Sequence, residues 1–194
     1  MGAILQSLGR TLLAGLVVLI IIIVAFGGAE KMGDHSWWTF LMRWMHVMAG
    51  VMWIGLLWYF NFVQIPSMPK IPDDQKPAIG KVIAPTALFW FRWAALATVI
   101  TGLLVAGMSG YLSQALMVQK GHHAIGIGMW LALIMAFNVW FIIWPNQKKA
   151  LGSVTVSAEE KAAAARTAML TSRINTMLSI PMLFCMVAQQ NAGL

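Results

Sequence analysis

The sequence predicts an all-α integral membrane protein of five transmembrane helices, with helices two to five forming a four-helix bundle. Three observations predict it. Of the 194 residues, 60% are hydrophobic and 10% charged, against roughly a quarter charged in soluble globular chains. The apolar residues gather into runs near the length, roughly 20 residues, that a helix needs to cross a bilayer. The positive excess of +7 is spread between those runs, where it orients helices in a membrane. It forms no basic tract of the kind that binds nucleic acid.

Residues 12–26, LLAGLVVLIIIIVAF, are apolar all round. This predicts a lipid-facing helix, so residues 1–30 read as an N-terminal membrane anchor. A cleaved signal peptide is the competing reading, because Arg10 precedes the run and small residues follow it. The second span runs over about residues 37–64, long enough to tilt or protrude. Pro66, Pro69, Pro72 and Pro77 then predict a loop. The third span covers about 86–108 and is followed by a short amphipathic connection over 111–118. The fourth covers about 122–144 and is expected to stop at Pro145. A last helix starts at Ser157, which has capping-box spacing to Glu160, and crosses the membrane over about 168–188. Residues 36–190 make up the bundle.

Arg10, Lys70, Lys76, Lys81, Lys148, Lys149, Lys161 and Arg166 fall on one side of these spans, and only Lys31 and Lys120 on the other. Basic residues stay on the cytoplasmic side. The expected setting is a bacterial inner membrane, N-terminus cytoplasmic and C-terminus periplasmic, with His35, His122 and His123 near the outer surface.

HVMAGVMWIGLLWYFN from His46 aligns without gaps on HAIGIGMWLALIMAFN from His123. His46 matches His123, Met52 matches Met129, Trp53 matches Trp130, and Phe60 and Asn61 match Phe137 and Asn138. Each of these helices is followed by one bearing an arginine, Arg92 or Arg173. The pattern predicts a two-helix unit used twice, with both copies running the same way through the membrane. On that symmetry His46 and His123 sit at equal depth across a pseudo-twofold axis. Each His and its Trp, seven residues apart, share one helical stripe. Gly50 and Gly126, within a turn of the histidines, leave room for something flat.

Two facing imidazoles in a bundle core predict an axial pair for a non-covalent haem b. Arg43, one turn from His46, is expected to pair with a propionate, and Trp53 and Trp130 to wall the ring. His122 is a further candidate ligand. Two other readings stay open: histidines that merely hydrogen-bond a neighbouring helix, and a small copper or zinc site. With one cysteine, Cys185, neither an internal disulfide nor a CxxCH haem attachment exists. Arg92, Arg173, Asn61, Asn138 and Asn175 form an inner polar layer. It is expected either to receive an anionic substrate or a quinone head group, or to consist of arginines snorkelling to the interface. The six acidic residues all fall in loops or at a helix start. No nucleophile elbow, P-loop or dinucleotide fingerprint appears.

Three stretches resemble the membrane domain of the bacterial membrane-bound urate hydroxylases: RWMHVMAGVMWIGLLWYF (residues 43–60), FRWAALATVITGLLV (91–105) and FNVWFIIWPNQKKAL (137–151). SRINTMLSIPMLFCM (172–186) is similar to the final Arg-bearing segment of that family. A looser similarity runs to small four-helix membrane haem proteins of the protoporphyrinogen oxidase type. The resemblance implies a respiratory-chain-linked oxidoreductase that passes electrons to a cytochrome c. This chain departs from the family pattern in having no cytochrome c motif. It also has Ala94 and Ala95 after the third-helix FRW, and Arg173-Ile174-Asn175-Thr176 in the last helix. The scaffold and a haem are therefore expected more firmly than urate oxidation itself. Electron transfer with a cytochrome c or another respiratory subunit is the leading expectation. A non-catalytic accessory or assembly subunit, packing through Gly102 and Gly107, is the alternative, and a small transporter is a third.

Overall fold

The structure, a computed structural model, describes residues 2–191, so residue 1 of the expected anchor lies outside it. It is all-helical, with no strand among the described residues. Five helices are long and apolar enough to cross a membrane: α1 (Leu8–Ala25), α2 (His35–Lys70), α3 (Lys76–Met108), α4 (His123–Ala150) and α5 (Ala158–Ala188). A short helix, Leu112–Leu116, follows α3, where the sequence predicts an amphipathic connection. The chain divides into two compact units, the first ending at Leu41 inside α2 and the second beginning at Met42.

In the first unit, α1 buries none of its residues. A helix apolar on every side and buried on none is suited to lipid contact along its length. In the second unit, one core draws on all four remaining helices: Trp53 and Leu57 of α2, Phe91 of α3, Met135 and Ile143 of α4, and Met182 of α5. Polar cross-links add to it. The Trp58 indole donates to Ser179 Oγ at 3.0 Å and Asn61 Nδ2 to Ser172 Oγ at 2.8 Å, both joining α2 to α5. A smaller cluster of Ala106, Ala115 and Met129 seats the short helix against α3 and α4.

The prolines do not break the chain as the sequence predicts. Helix α2 continues through Pro66 and Pro69 to Lys70, α3 already begins at Lys76, and α4 continues through Pro145 to Ala150. The loop between α2 and α3 shrinks to residues 71–75. The reason is a recurring local device. π-Helical turns span Tyr59–Gln64, Ile79–Ile83 and Asn138–Ile143, and each ends two residues before a proline: Pro66, Pro85 and Pro145. A proline ring inside an α-helix clashes with the carbonyl four residues back and lacks the N–H that would bond it. Widening the preceding turn moves that carbonyl away, and the helix carries on. Only Pro181 sits within uninterrupted α-helix. At the start of α5, Ser157 caps as expected, its side chain accepting from Glu160 N at 3.1 Å.

Candidate functional site

A cavity of about 640 Å³ lies among the four helices of the second unit, within the range of small-molecule and cofactor pockets, about 300–1,000 Å³. Its wall is mostly apolar. Of the residues expected from the sequence to hold a cofactor, four line it, all from α2: Arg43, His46, Gly50 and Trp53.

His46 is held in a defined orientation. Its Nδ1 lies 2.9 Å from the Thr98 carbonyl oxygen and 3.2 Å from Thr101 Oγ1. A carbonyl only accepts, so Nδ1 carries the proton, and Nε2 is left with a free lone pair. A metal-bound imidazole almost always has this arrangement, its second nitrogen donating to a carbonyl or carboxylate. The ring rests on Gly102, where a Cβ would come within 2.9 Å of the imidazole Cε1. A side chain at 102 would push the ring away, so the missing Cβ sets its seat.

Donors without acceptors surround this imidazole. Trp53 is fully buried, yet its indole N–H has no partner, and Arg43 Nε is likewise sealed without one. Buried polar groups are nearly always satisfied, so these two are exceptions, and neither atom has surface open to the cavity. Tyr111 lines it too. Burial raises its phenol above the ordinary value while the Arg43 charge pulls the other way, so at neutral pH it presents an uncharged O–H. The wall includes three thioethers, Met129, Met182 and Met186. The sequence analysis gave the methionines no ligating role, and it missed Thr98, Thr101 and Tyr111. A proton acceptor on a backbone carbonyl leaves no trace in residue identity.

His123, Gly126 and Trp130 are not brought to this cavity. His123 is exposed at the first position of α4. Gly126 admits the short helix instead of a cofactor, because a Cβ there would collide with the Ala115 carbonyl. Trp130 is exposed and donates to Leu116 O at 2.9 Å. His122 stacks on Tyr111, ring centres 5.8 Å apart, and His35 is engaged locally with Thr39.

The repeated segments therefore turn different faces inward. Trp53 is 0% exposed and its counterpart Trp130 47%, whereas Met52 is 45% exposed and its counterpart Met129 8%. His46, Gly50, Trp53 and Leu57 form one inward stripe, and the matching His123, Ile127, Trp130 and Ile134 form one outward stripe. The cause is the next stripe of α4, where Gly128, Ala132 and Ala136 are buried. A Cβ on Gly128 would sit 3.1 Å from Cys185 Cβ of α5. Small residues let membrane helices approach closely, so this face takes the interior and His123 is rotated out.

The inner layer keeps the repeat better. Asn61 and Asn138 lie in or at the head of matched π-turns, and each donates to α5, to Ser172 Oγ and to Asn175 Oδ1, both at 2.8 Å. Asn61 also donates to Leu57 O, and fully buried Asn175 donates to Met135 O, both at 2.9 Å. These amides serve as interhelical links. Arg173 is exposed on α5, and Arg92 stacks on Trp144 with its guanidinium carbon 3.5 Å from the ring centre. None of these five residues lines the cavity. Among the described residues there is no cluster of three or more His, Cys, Asp or Glu side chains able to hold a bare metal ion.

Residues 105–192 match the family model described as urate oxidase N-terminal, a little under half of the chain. That stretch is similar to the membrane portion of urate-oxidising enzymes and contains FNVWFIIWPNQKKAL and SRINTMLSIPMLFCM. His46, Arg43 and Arg92 lie outside it. No curated protein and no solved structure matches the chain.

Proposed function

We propose that this protein is a membrane haem b protein of the urate oxidase N-terminal type, working in electron transfer, with His46 as the one imidazole that holds the iron. The observation that carries the reading is the Nδ1–H of His46 donating to Thr98 O at 2.9 Å, which presents a free Nε2 on an apolar cavity of about 640 Å³. The group, when bound, supplies a one-electron couple tuned by its ligands and surroundings. The chain's residues fit it. Arg43, one turn from His46, is placed to pair with a propionate carboxylate. Met129, Met182, Met186 and Tyr111 are the other side chains on the wall able to ligate iron. His123 is not on it, so the axial pair expected from the repeat gives way to a single imidazole.

Electron transfer is favoured over substrate oxidation at the inner layer because the Asn61 and Asn138 amides are already engaged by α5. A periplasmic cytochrome c or a neighbouring respiratory subunit is the partner class that suits a haem near the outer side of a bundle.

The test is an absorption spectrum of protein purified from haem-replete cells, with a reduced-minus-oxidised difference. A Soret band is expected, lost in His46→Ala and kept in His123→Ala. Failure to see the band, even after reconstitution with haem, removes the proposal. Equal loss in both variants would restore the two-histidine arrangement in its place.

A further inference from the structure

A second constellation lies away from the cavity, on α3 and α4. Trp140, Trp144 and Lys148 recur every four residues and so share one face of α4. The Arg92 guanidinium carbon lies 3.5 Å from the Trp144 ring centre and 5.5 Å from that of Trp140, and Lys148 Nζ lies 5.5 Å from Trp144. Two cations thus share one indole. Stacking satisfies the flat faces of a guanidinium, but its N–H donors lie in the plane and need acceptors. They lack them here. Arg92 Nη1 and the neighbouring Trp140 Nε1 are both sealed from solvent without a hydrogen-bond partner. Among the described residues the one ion pair is Lys76 with Asp73, so no carboxylate answers Arg92. An arginine within a membrane span is costly unless paired.

We propose that Arg92 and Lys148, stacked beside Trp144 and Trp140, bind the phosphate of an anionic phospholipid. A phosphate diester offers two acceptor oxygens to the guanidinium fork, with the Lys148 charge alongside. A lipid suits the site better than free phosphate because its surroundings are exposed apolar rings, Phe89, Trp90, Trp93 and Phe141. Such rings belong at the level where headgroups meet acyl chains. Basic pockets between helices at that level bind anionic headgroups. The helix end carrying Lys148 and Lys149 is also the one that the charge pattern assigns to the cytoplasmic leaflet.

The experiment is native mass spectrometry of the full chain in mild detergent, titrated with phosphatidylglycerol, with diacylglycerol of the same chains, or with phosphatidylglycerol in competition with millimolar inorganic phosphate. Phosphatidylglycerol is expected to be retained, diacylglycerol to be lost, and inorganic phosphate not to displace the lipid. Arg92→Gln should weaken retention about tenfold, the loss of one hydrogen bond to a charged group, and Arg173→Gln should not. Should Arg92→Gln fail to fold, Arg92→Lys keeps the charge without the fork and carries the same expectation. Undiminished retention in these variants, equal retention of diacylglycerol, displacement by phosphate, or an equal loss in Arg173→Gln overturns the proposal. Arg92 does not line the cavity, so a haem spectrum unchanged in Arg92→Gln keeps this test separate from that of His46.

Discussion

At the scale of single residues, the chemistry proposed for this protein turns on what surrounds one imidazole. His46 is distinguished from His123 by three neighbours on α3, none of them titratable: the Thr98 carbonyl, the Thr101 hydroxyl and the bare Cα of Gly102. This gives Gly102 a testable role. In Gly102→Val the new side chain meets the ring at its tightest point, and overpacking of this kind costs about 1–3 kcal/mol. Haem retention should fall by roughly tenfold while far-UV circular dichroism shows the helices intact. Retention equal to that of the parent protein would mean that the ring does not depend on this seat. From sequence, the candidate histidine was legible and so were Arg43, Gly50 and Trp53. Its hydrogen-bond partners were not, because a helix carbonyl is presented by geometry and not by residue type.

At the scale of elements, the helices are longer than their proline content suggests, and polar side chains tie them where π-turns widen the backbone. Asn175 is central to that arrangement: fully buried, it accepts from Asn138 and donates to Met135 O. Interhelical hydrogen bonds in membranes contribute about 0.6–2 kcal/mol each. Asn175→Ala removes two and strands the Asn138 amide, so a loss of about 2–3 kcal/mol is expected in reversible unfolding from mixed micelles. A substitution without effect there would show that these amides are satisfied in other ways. Gly126 is the comparable point for the short helix. Gly126→Leu drives a side chain into the Ala115 backbone and should lower the thermal midpoint in detergent by several degrees or prevent folding. An unchanged midpoint would argue that Leu112–Leu116 can move aside at no cost. The prolines were misread as stops because the rule that proline ends a helix presumes an α-helical turn before it. A wider turn escapes that rule, and no residue type announces one.

At the scale of the whole molecule, five long apolar helices make a multi-pass membrane protein that contacts lipid. The basic residues between them set the expected orientation, with Lys148, Lys149, Lys161 and Arg166 inside and Lys120 outside. A C-terminal reporter active only in the periplasm should therefore be active, and one active only in the cytoplasm silent. The reverse pattern would invert the assignment of both sites to their leaflets. The two sites are separate. The cavity is lined by the four helices of the second unit, whereas the Arg92 cluster lies between α3 and α4 beside exposed aromatic residues.

The sequence by itself determined the helices, their number and their membrane-crossing stretches, because hydrophobic length and the placement of charge are properties of the chain read in order. It also determined the repeat, since matched residues at matched offsets require no coordinates. Tertiary structure decided which face of each repeat turns inward. The choice between the His46 stripe and the His123 stripe was made by competition with the Gly128, Ala132 and Ala136 stripe for contact with α5. In a bilayer the closest backbone approach wins such a contest, because lipid offers apolar side chains no penalty for facing outward.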